Sequence, residues 1–475
     1  MNFIHSLSLP KLAPIFQIEK SGWLKYFLLL IGFCLALLVL KFKFIAIAIV
    51  AGLIGSIILL FNPEAALLVN INLGQLYIQH GFSMAALLLS MVSWILYMVL
   101  KKPKIFISFQ SKLVFIFGIW LLLTIPFSSG GLLYGLRYSV RLLIPVILFF
   151  SITTILKTEK QLLRFILFLI LTGLGLSIFG NIQYFFQVPI FSHIITDRGS
   201  IILPLGPFGD PVAYGAQLLA ILGLSFAKFL SEPRGKRKTI FFFIFLAVTS
   251  SLIASLNRGA IIGFVASALV MLFLNRKGGI RLILFSIVAL IILSQVGFNQ
   301  LISNKIETIF TETKYKSGHF GKRYEASLAG LDALREKPQL LILGSGVFTY
   351  MDTVLPYLST GSVKHSGNTN AFILFLVELG IFGFGIFVWI IGLALKNLYF
   401  LQRSFKLPGD LPKASLCQGL FASLVGLLVM SIVNTIWDMT LFWVILTLPV
   451  VIKVLGDTPK EGPNQQFLLR QNGNV

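Results

Sequence analysis

Arginines beside long apolar segments are the residues of this sequence best suited to chemistry. Arg258 lies in an abrupt turn, LNRGA, between two apolar runs, and Arg323 opens a segment with helical periodicity. A guanidinium is charged at neutral pH, and its fork matches the oxygens of a phosphate group. A charge at a membrane edge is costly unless it meets an anion. The pattern predicts an anion site, although each arginine alone could simply snorkel to the interface.

Further candidates surround these two. Arg137 and Arg141 are four residues apart and share one helix face, and Arg198 lies in a polar connection. For acid–base chemistry, His365 precedes a polar turn at a helix entrance, and Glu378 lies about two turns inside the next apolar segment. An acid at that depth is a functional candidate, although Glu378 could instead pair with an arginine. No cluster has zinc spacing and no phosphate-loop or dinucleotide motif occurs, so neither a metal nor a cofactor is predicted.

The composition indicates what must position these residues. Apolar residues make up 57% of the 475 and charged residues 12%, whereas a soluble domain has about 25% charged residues. We therefore expect an all-α polytopic membrane protein with about 12–14 transmembrane helices of about 20 residues each. The apolar runs lie near 24–40, 44–62, 81–100, 112–128, 140–156, 162–184, 211–230, 239–256, 259–275, 281–297, 371–395, 416–434 and 438–453.

The charge pattern predicts the topology. The formal net charge is +22, from 39 Lys and Arg against 17 Asp and Glu. Basic residues are concentrated in every second connection, which is the positive-inside pattern and makes a nucleic-acid partner unnecessary. Strict alternation places connection 63–80 and the N-terminus outside. A re-entrant 63–80 segment or a fused 24–62 pair would instead place the N-terminus inside.

We expect four regions: N-terminal membrane helices in 1–297, a large extracytoplasmic loop in 298–370, C-terminal membrane helices in 371–453 and a cytoplasmic tail in 454–475. Within the loop, 321–337 has the pattern of an amphipathic helix that ends before Pro338. Its apolar face is formed by Tyr324, Leu328, Leu331 and Leu334. The loop could also be a cap that only packs on the bundle.

Four segments resemble the O-antigen ligase and polymerase superfamily of bacterial envelope glycan enzymes. LNRGA is similar to that family's Ser-Arg-Gly segment, and Arg323 opens a helix that leads to EKPQLLILGSGVF, similar to its arginine helix and Pro/Gly-rich turn. HSGNTNAFILFLVELGIFGFGIF (365–387) resembles its His-Asn and Glu-x-Gly stretch, and GPFGDPVAYGAQL (206–218) resembles an earlier Phe-x-x-Pro segment. The resemblance covers roughly 200–390.

This resemblance implies a metal-independent glycosyltransferase of the GT-C class in the bacterial inner membrane, with its site facing outward. The donor would be a glycan on undecaprenyl diphosphate, and the acceptor a hydroxyl of another glycan or lipid-linked molecule. Arg258 and Arg323, with Arg137, Arg141 and Arg198 as secondary candidates, would hold the diphosphate. Polymerases of this kind can have a chain-length regulator as partner.

One departure favours a polymerase over a ligase that uses lipid A-core. Thr369 stands where ligases usually have histidine, and His365 lies four residues earlier. We therefore expect His365 to be the acceptor base, with Glu378 as its rival and a base-free reaction as the third option. A lipid-linked glycan transporter and a non-catalytic assembly subunit are the alternatives from other classes. We find no internal repeat of the kind transporters have, and the subunit would leave the outer arginines unexplained.

Overall fold

The computed structural model describes residues 55–73, 80–103, 107–128, 131–186, 204, 206–208, 210–294, 318–358, 370–407 and 409–457. Within these ranges the chain is helical and contains no strand. The predicted all-α polytopic class is confirmed. The helices are α1 (Pro63–Leu73), α2 (His80–Lys101), α3 (Phe109–Leu123), α4 (Leu132–Ile155), α5 (Glu159–Phe186), α6 (Pro211–Ser231), α7 (Lys236–Ala254), α8 (Arg258–Leu274), α9 (Arg276–Ser294), α10 (Gly318–Glu336), α11 (Pro338–Leu343), α12 (Tyr350–Val354), α13 (Ala371–Lys406), α14 (Leu411–Ser431) and α15 (Thr440–Asp457).

Each predicted apolar run from residue 81 onward overlaps one of these helices. In the described part of the chain, six helical segments are long and apolar enough to cross a membrane. They are 109–127, 159–186, 211–231, 236–254, 371–406 and 411–431. Shorter apolar segments lie in α2, α4, α8 and α15. The protein is therefore a multi-pass membrane protein. The runs 24–40 and most of 44–62 lie outside the described residues, so the total of 12–14 stays a prediction.

Helix α6 forms the centre of the bundle and packs against α14, α7 and α5. Small residues allow the close approach that holds membrane helices together. Gly223 of α6 lies against the backbone of Gly419 in α14, and Gly263 of α8 lies against Gly426. At these crossings Ser267 Oγ donates to the carbonyl of Ala422 over 2.8 Å. Helices α6, α8 and α14 therefore form one closely packed unit.

Contacts between connections divide the bundle into two sides. On the predicted cytoplasmic side, Lys413 pairs with Glu159, and Arg164 pairs with Glu64 at 2.9 Å. On the opposite side, the Asn257 amide donates to the Pro211 carbonyl over 2.9 Å. These contacts match the alternation of basic and sparsely charged connections.

The segment 63–80, expected as an outer loop, begins instead with helix α1, which starts on the side that carries Arg164. Its residues 65–68 are buried. The local sequence accounts for this helix, because Asn62 Oδ1 accepts from the Ala65 amide and Pro63 occupies the first helical position. The start of this segment therefore lies on the side opposite to the one that strict alternation predicts, while the topology of the N-terminus stays a prediction.

The two sides can be tested by thiol labelling. Asp332 on α10 and Lys236 at the start of α7 are both exposed. Helix α7 runs from Lys236 to the Arg258 turn, and Arg323 of α10 bonds Asn434, which lies against Gly259 beside that turn, so the two positions are on opposite sides. We expect an impermeant maleimide added to sealed vesicles of one orientation to label only one of Asp332→Cys and Lys236→Cys, in a background lacking Cys34 and Cys417. Both should react once the vesicles are opened by detergent. Labelling of both variants in sealed vesicles would contradict the division.

Candidate functional site

The turn between α7 and α8 places Arg258 at the first position of α8. Leu256 has a left-handed φ of +47°, which is strained for a side chain other than glycine. Asn257 then caps α8, because its Oδ1 accepts from the Ala260 amide over 2.9 Å. Its amide also ties the turn to the start of α6. Such strain persists only where the surroundings impose it and is characteristic of functional sites.

Arg323 lies in the first part of α10 and reaches the turn between α14 and α15. Its Nη1 donates to Asn434 Oδ1 over 2.7 Å and to the Val433 carbonyl over 3.4 Å. The guanidinium is half-buried. Arg323, in the loop predicted to be extracytoplasmic, is thereby hydrogen-bonded to the turn between α14 and α15.

Asn434 brings the two arginine-bearing segments together. Its side-chain amide nitrogen lies against Gly259, so closely that a Cβ at Gly259 would overlap it. Gly259 directly follows Arg258, and the oxygen of the same amide accepts from Arg323. One buried asparagine thus lies between the start of α8 and the side chain of Arg323. This residue was not predicted from the sequence, because 434 was assigned to the end of an apolar run.

Helix α10 packs on the bundle through small residues. Ala326, Ala329 and Ala333 are buried, and the Tyr350 hydroxyl donates to the Ala326 carbonyl over 2.6 Å. The apolar face that the spacing predicted does not pack on the bundle. Tyr324, Leu328 and Leu331 are exposed, and only Leu334 is partly buried. The physical reason is distance: small side chains let α10 approach α12 and α13 closely.

Helix α13 is broken at Gly380, within the segment that also carries Glu378. Gly380 has φ +65° and ψ −176°, a conformation accessible almost only to glycine. The break removes the helical partners of three carbonyl groups. Ser345 N donates to Val377 O over 2.8 Å and Gly346 N to Glu378 O over 3.0 Å. The indole of Trp120 donates to Leu379 O over 2.9 Å.

The Glu378 side chain lies beneath the 344–350 loop. It is 2% exposed, and its Oε1 accepts from the Tyr350 amide over 3.1 Å. The carboxylate therefore holds the start of α12 in place. Its Oε2 has no hydrogen-bond partner among the described residues. This burial favours a positioning role, while a role as acceptor base stays a prediction.

Buried polar atoms without partners are concentrated at this end of the bundle. Among the described residues they include Ser128 Oγ, Glu378 Oε2, Asn434 Nδ2 and Trp437 Nε1. Ser128 lies against Gly346, and the Trp437 ring packs on Phe348 and Phe375. Unsatisfied groups are rare in folded proteins. Ser128, Asn434 and Trp437 can each donate a hydrogen bond here, whereas the Glu378 oxygen can only accept one when it is ionised.

Residues 216–388 match the family model described as O-antigen ligase. The resemblance to the O-antigen ligase and polymerase superfamily is confirmed. The matched residues run from α6 to the middle of α13 and include Arg258, Arg323, His365 and Glu378. No curated protein matches the chain. The general activity follows from the family: a membrane glycosyltransferase of O-antigen ligase or polymerase type.

Arg137, Arg141, Arg198 and His365 are the remaining predicted site residues. Arg137 and Arg141 lie in the first half of α4, whose entry at Ser128 contacts Gly346. Arg198 and His365 lie outside the described residues. The chain re-enters the described region at Asn370, whose Oδ1 caps α13 and whose N–H donates to Ser327 Oγ over 3.5 Å. Ser327 is one turn beyond Arg323 on α10. The roles of Arg137, Arg141, Arg198 and His365 in the site stay predictions.

The break in α13 can be tested with two glycines of that helix. Gly380→Ala imposes a conformation costing on the order of 1–3 kcal/mol and a clash with the Ile342 carbonyl. We expect a lower melting midpoint for the detergent-purified protein and at least tenfold less transfer. Gly385→Ala is the control, since no atom lies within 4 Å of its added Cβ. Equal midpoints and equal activities for the two variants would show that the break is not required.

Proposed function

We propose that the protein transfers a glycan from undecaprenyl diphosphate to a hydroxyl of an acceptor glycan, as an O-antigen or exopolysaccharide polymerase does. The acceptor oxygen forms a bond to the anomeric carbon of the donor. The bond from that carbon to the diphosphate oxygen breaks, and the lipid diphosphate leaves with the electron pair. The acceptor proton passes to a base or to water. The reaction is metal-independent and needs no cofactor.

The meeting of the Arg258 and Arg323 segments at Asn434 is the observation that supports this proposal. Negative charge develops on the diphosphate as the glycosidic bond breaks, so its stabilisation is the main catalytic task. Two guanidinium groups supply positive charge with a geometry that fits phosphate oxygens. The N-terminus of α8, at which Arg258 lies, adds a partial positive charge. Arg137, Arg141 and Arg198 are proposed as secondary contacts of the diphosphate.

The proposal places the site at the outer face of the bacterial inner membrane. Support comes from the basic connections, which the positive-inside rule assigns to the cytoplasm. The lipid tail of the donor would lie in the bilayer while its diphosphate meets the arginines at the edge. In the labelling experiment above, the Asp332→Cys variant should then be the one labelled from outside in spheroplasts. A chain-length regulator is the proposed protein partner.

If Arg258 and Arg323 bind the diphosphate, replacing either of them with lysine should lower the transfer activity. Arg258→Lys and Arg323→Lys keep the positive charge but lose the guanidinium fork. A hydrogen bond to a charged group contributes about 1.5–3 kcal/mol, so we expect at least tenfold lower activity. Arg276→Lys is the matched control, because Arg276 is the first residue of α9 and lies at the end of α8 opposite to Arg258. The measurement is the envelope glycan of a deletion strain complemented with each variant.

Equal amounts of each variant in the membrane must be verified by immunoblot. Wild-type glycan from both Arg258→Ala and Arg323→Ala, at equal protein levels, would contradict the arginine site.

The acceptor base is assigned by comparing two variants. We propose His365, because histidine is the side chain best suited to accept a proton near neutral pH. It lies five positions before Asn370, a chain length that spans at most about 17 Å. In a transfer assay with purified protein, His365→Ala should lose at least tenfold in rate, as expected for a base that contributes about 10²–10⁴.

Glu378→Gln keeps an oxygen for the Tyr350 amide and should stay within about threefold of wild type if Glu378 only positions the loop. The reverse ranking would assign the base to Glu378. Full activity in both variants would favour a reaction without a protein base.

The second candidate function is ligation of the glycan to lipid A-core or another acceptor. The description of the matching family model, O-antigen ligase, favours it. The same deletion strain separates the two functions. Glycan with a single repeat unit indicates loss of a polymerase, whereas full-length glycan left on the lipid carrier indicates loss of a ligase.

A further inference from the structure

We infer that Asn434 is the residue that positions Arg323 for the donor diphosphate. This inference rests on the proposed function, because it assumes that Arg323 binds the diphosphate. Asn434 lies beyond residues 216–388, and no sequence motif pointed to it. Its assignment depends on contacts made in three dimensions, between α10, the start of α8 and the turn after α14.

The chemistry of the two groups fixes the orientation of the amide. A guanidinium only donates hydrogen bonds, so the Asn434 oxygen must face Arg323. The observed Nη1 to Oδ1 distance is 2.7 Å. The amide nitrogen then faces Gly259, which has no side chain to displace it. Asn434 is therefore held between the two arginine-bearing segments in one orientation.

The turn that carries Asn434 is rigid. The amides of Val433 and Asn434 both donate to the Met430 carbonyl, over 3.1 and 3.0 Å. The Trp443 indole donates to the Trp437 carbonyl over 2.7 Å, and the Trp437 ring packs against Phe375. Asn434 itself is 1% exposed. An acceptor fixed in this way restricts the position of a long arginine side chain.

Restriction of Arg323 has a direct consequence for binding. A free arginine loses side-chain entropy when it meets a phosphate, and prior ordering reduces that loss. The guanidinium has five N–H donors in a fixed plane, so one bond to Asn434 orients the whole fork. We therefore expect Asn434 to act on donor affinity through Arg323 and not by itself.

The test is a double-mutant cycle on binding of undecaprenyl diphosphate to the purified, detergent-solubilised protein. Asn434→Ala should weaken binding up to about tenfold, the effect of having to order one long side chain on binding. Once Arg323 is replaced by alanine, adding Asn434→Ala should change affinity by less than about twofold, since coupled residues are not additive. Asn397→Ala is the control, because Asn397 bonds Gln110 at the other end of the bundle.

Asn434→Asp is a second test, for use if Asn434→Ala does not fold. Asn434→Asp preserves size and the acceptor oxygen but pairs a carboxylate with Arg323, so it should also weaken binding at least tenfold. A purely structural role predicts near-normal binding for Asn434→Asp and additive losses in the cycle, and either result would overturn the inference. If Arg323→Ala alone leaves binding unchanged, the proposed diphosphate site fails instead.

Discussion

The break in α13 at Gly380 is the constraint on which the end of the bundle that carries the Arg258 turn depends. Inside a membrane, a backbone carbonyl without a partner costs several kcal/mol, so a helix cannot be interrupted unless other groups replace its hydrogen bonds. Here the amides of Ser345 and Gly346 and the indole of Trp120 replace them. The 344–350 loop, which supplies these amides, is therefore held against α13 by direct hydrogen bonds.

Fixing this loop also fixes the helices on both sides of it. Glu378 accepts from the Tyr350 amide, and the Tyr350 hydroxyl bonds to α10. The loop, α12 and α10 form a continuous path of hydrogen bonds from the broken helix to the segment that carries Arg323. The Glu378 carboxyl group, two residues before the helix break, is thus connected through Tyr350 to the helix that carries Arg323.

Close helix packing supplies the other half of the site. Gly223, Gly263, Gly419 and Gly426 let α6, α8 and α14 approach until their backbones touch. These contacts involve main-chain atoms and therefore resist displacement better than contacts between flexible side chains. Gly259 in turn leaves room for the side-chain amide of Asn434. For the proposed diphosphate site, such a scaffold would keep cations that repel each other in place until the anion binds.

The sequence by itself determined the all-α polytopic class, the positions of the apolar helices from residue 81 onward, and the resemblance to the O-antigen ligase and polymerase superfamily. Hydropathy, basic connections and short motifs are local properties, and the bilayer imposes them on any chain that crosses it. It also singled out Arg258 and Arg323. Only the tertiary structure decided that both segments meet at Asn434, that α10 packs through alanines and not its larger apolar residues, and that Glu378 lies beneath a loop. These facts depend on distances between residues about 30 to 180 positions apart in the chain, and hydrophobic periodicity does not encode such distances.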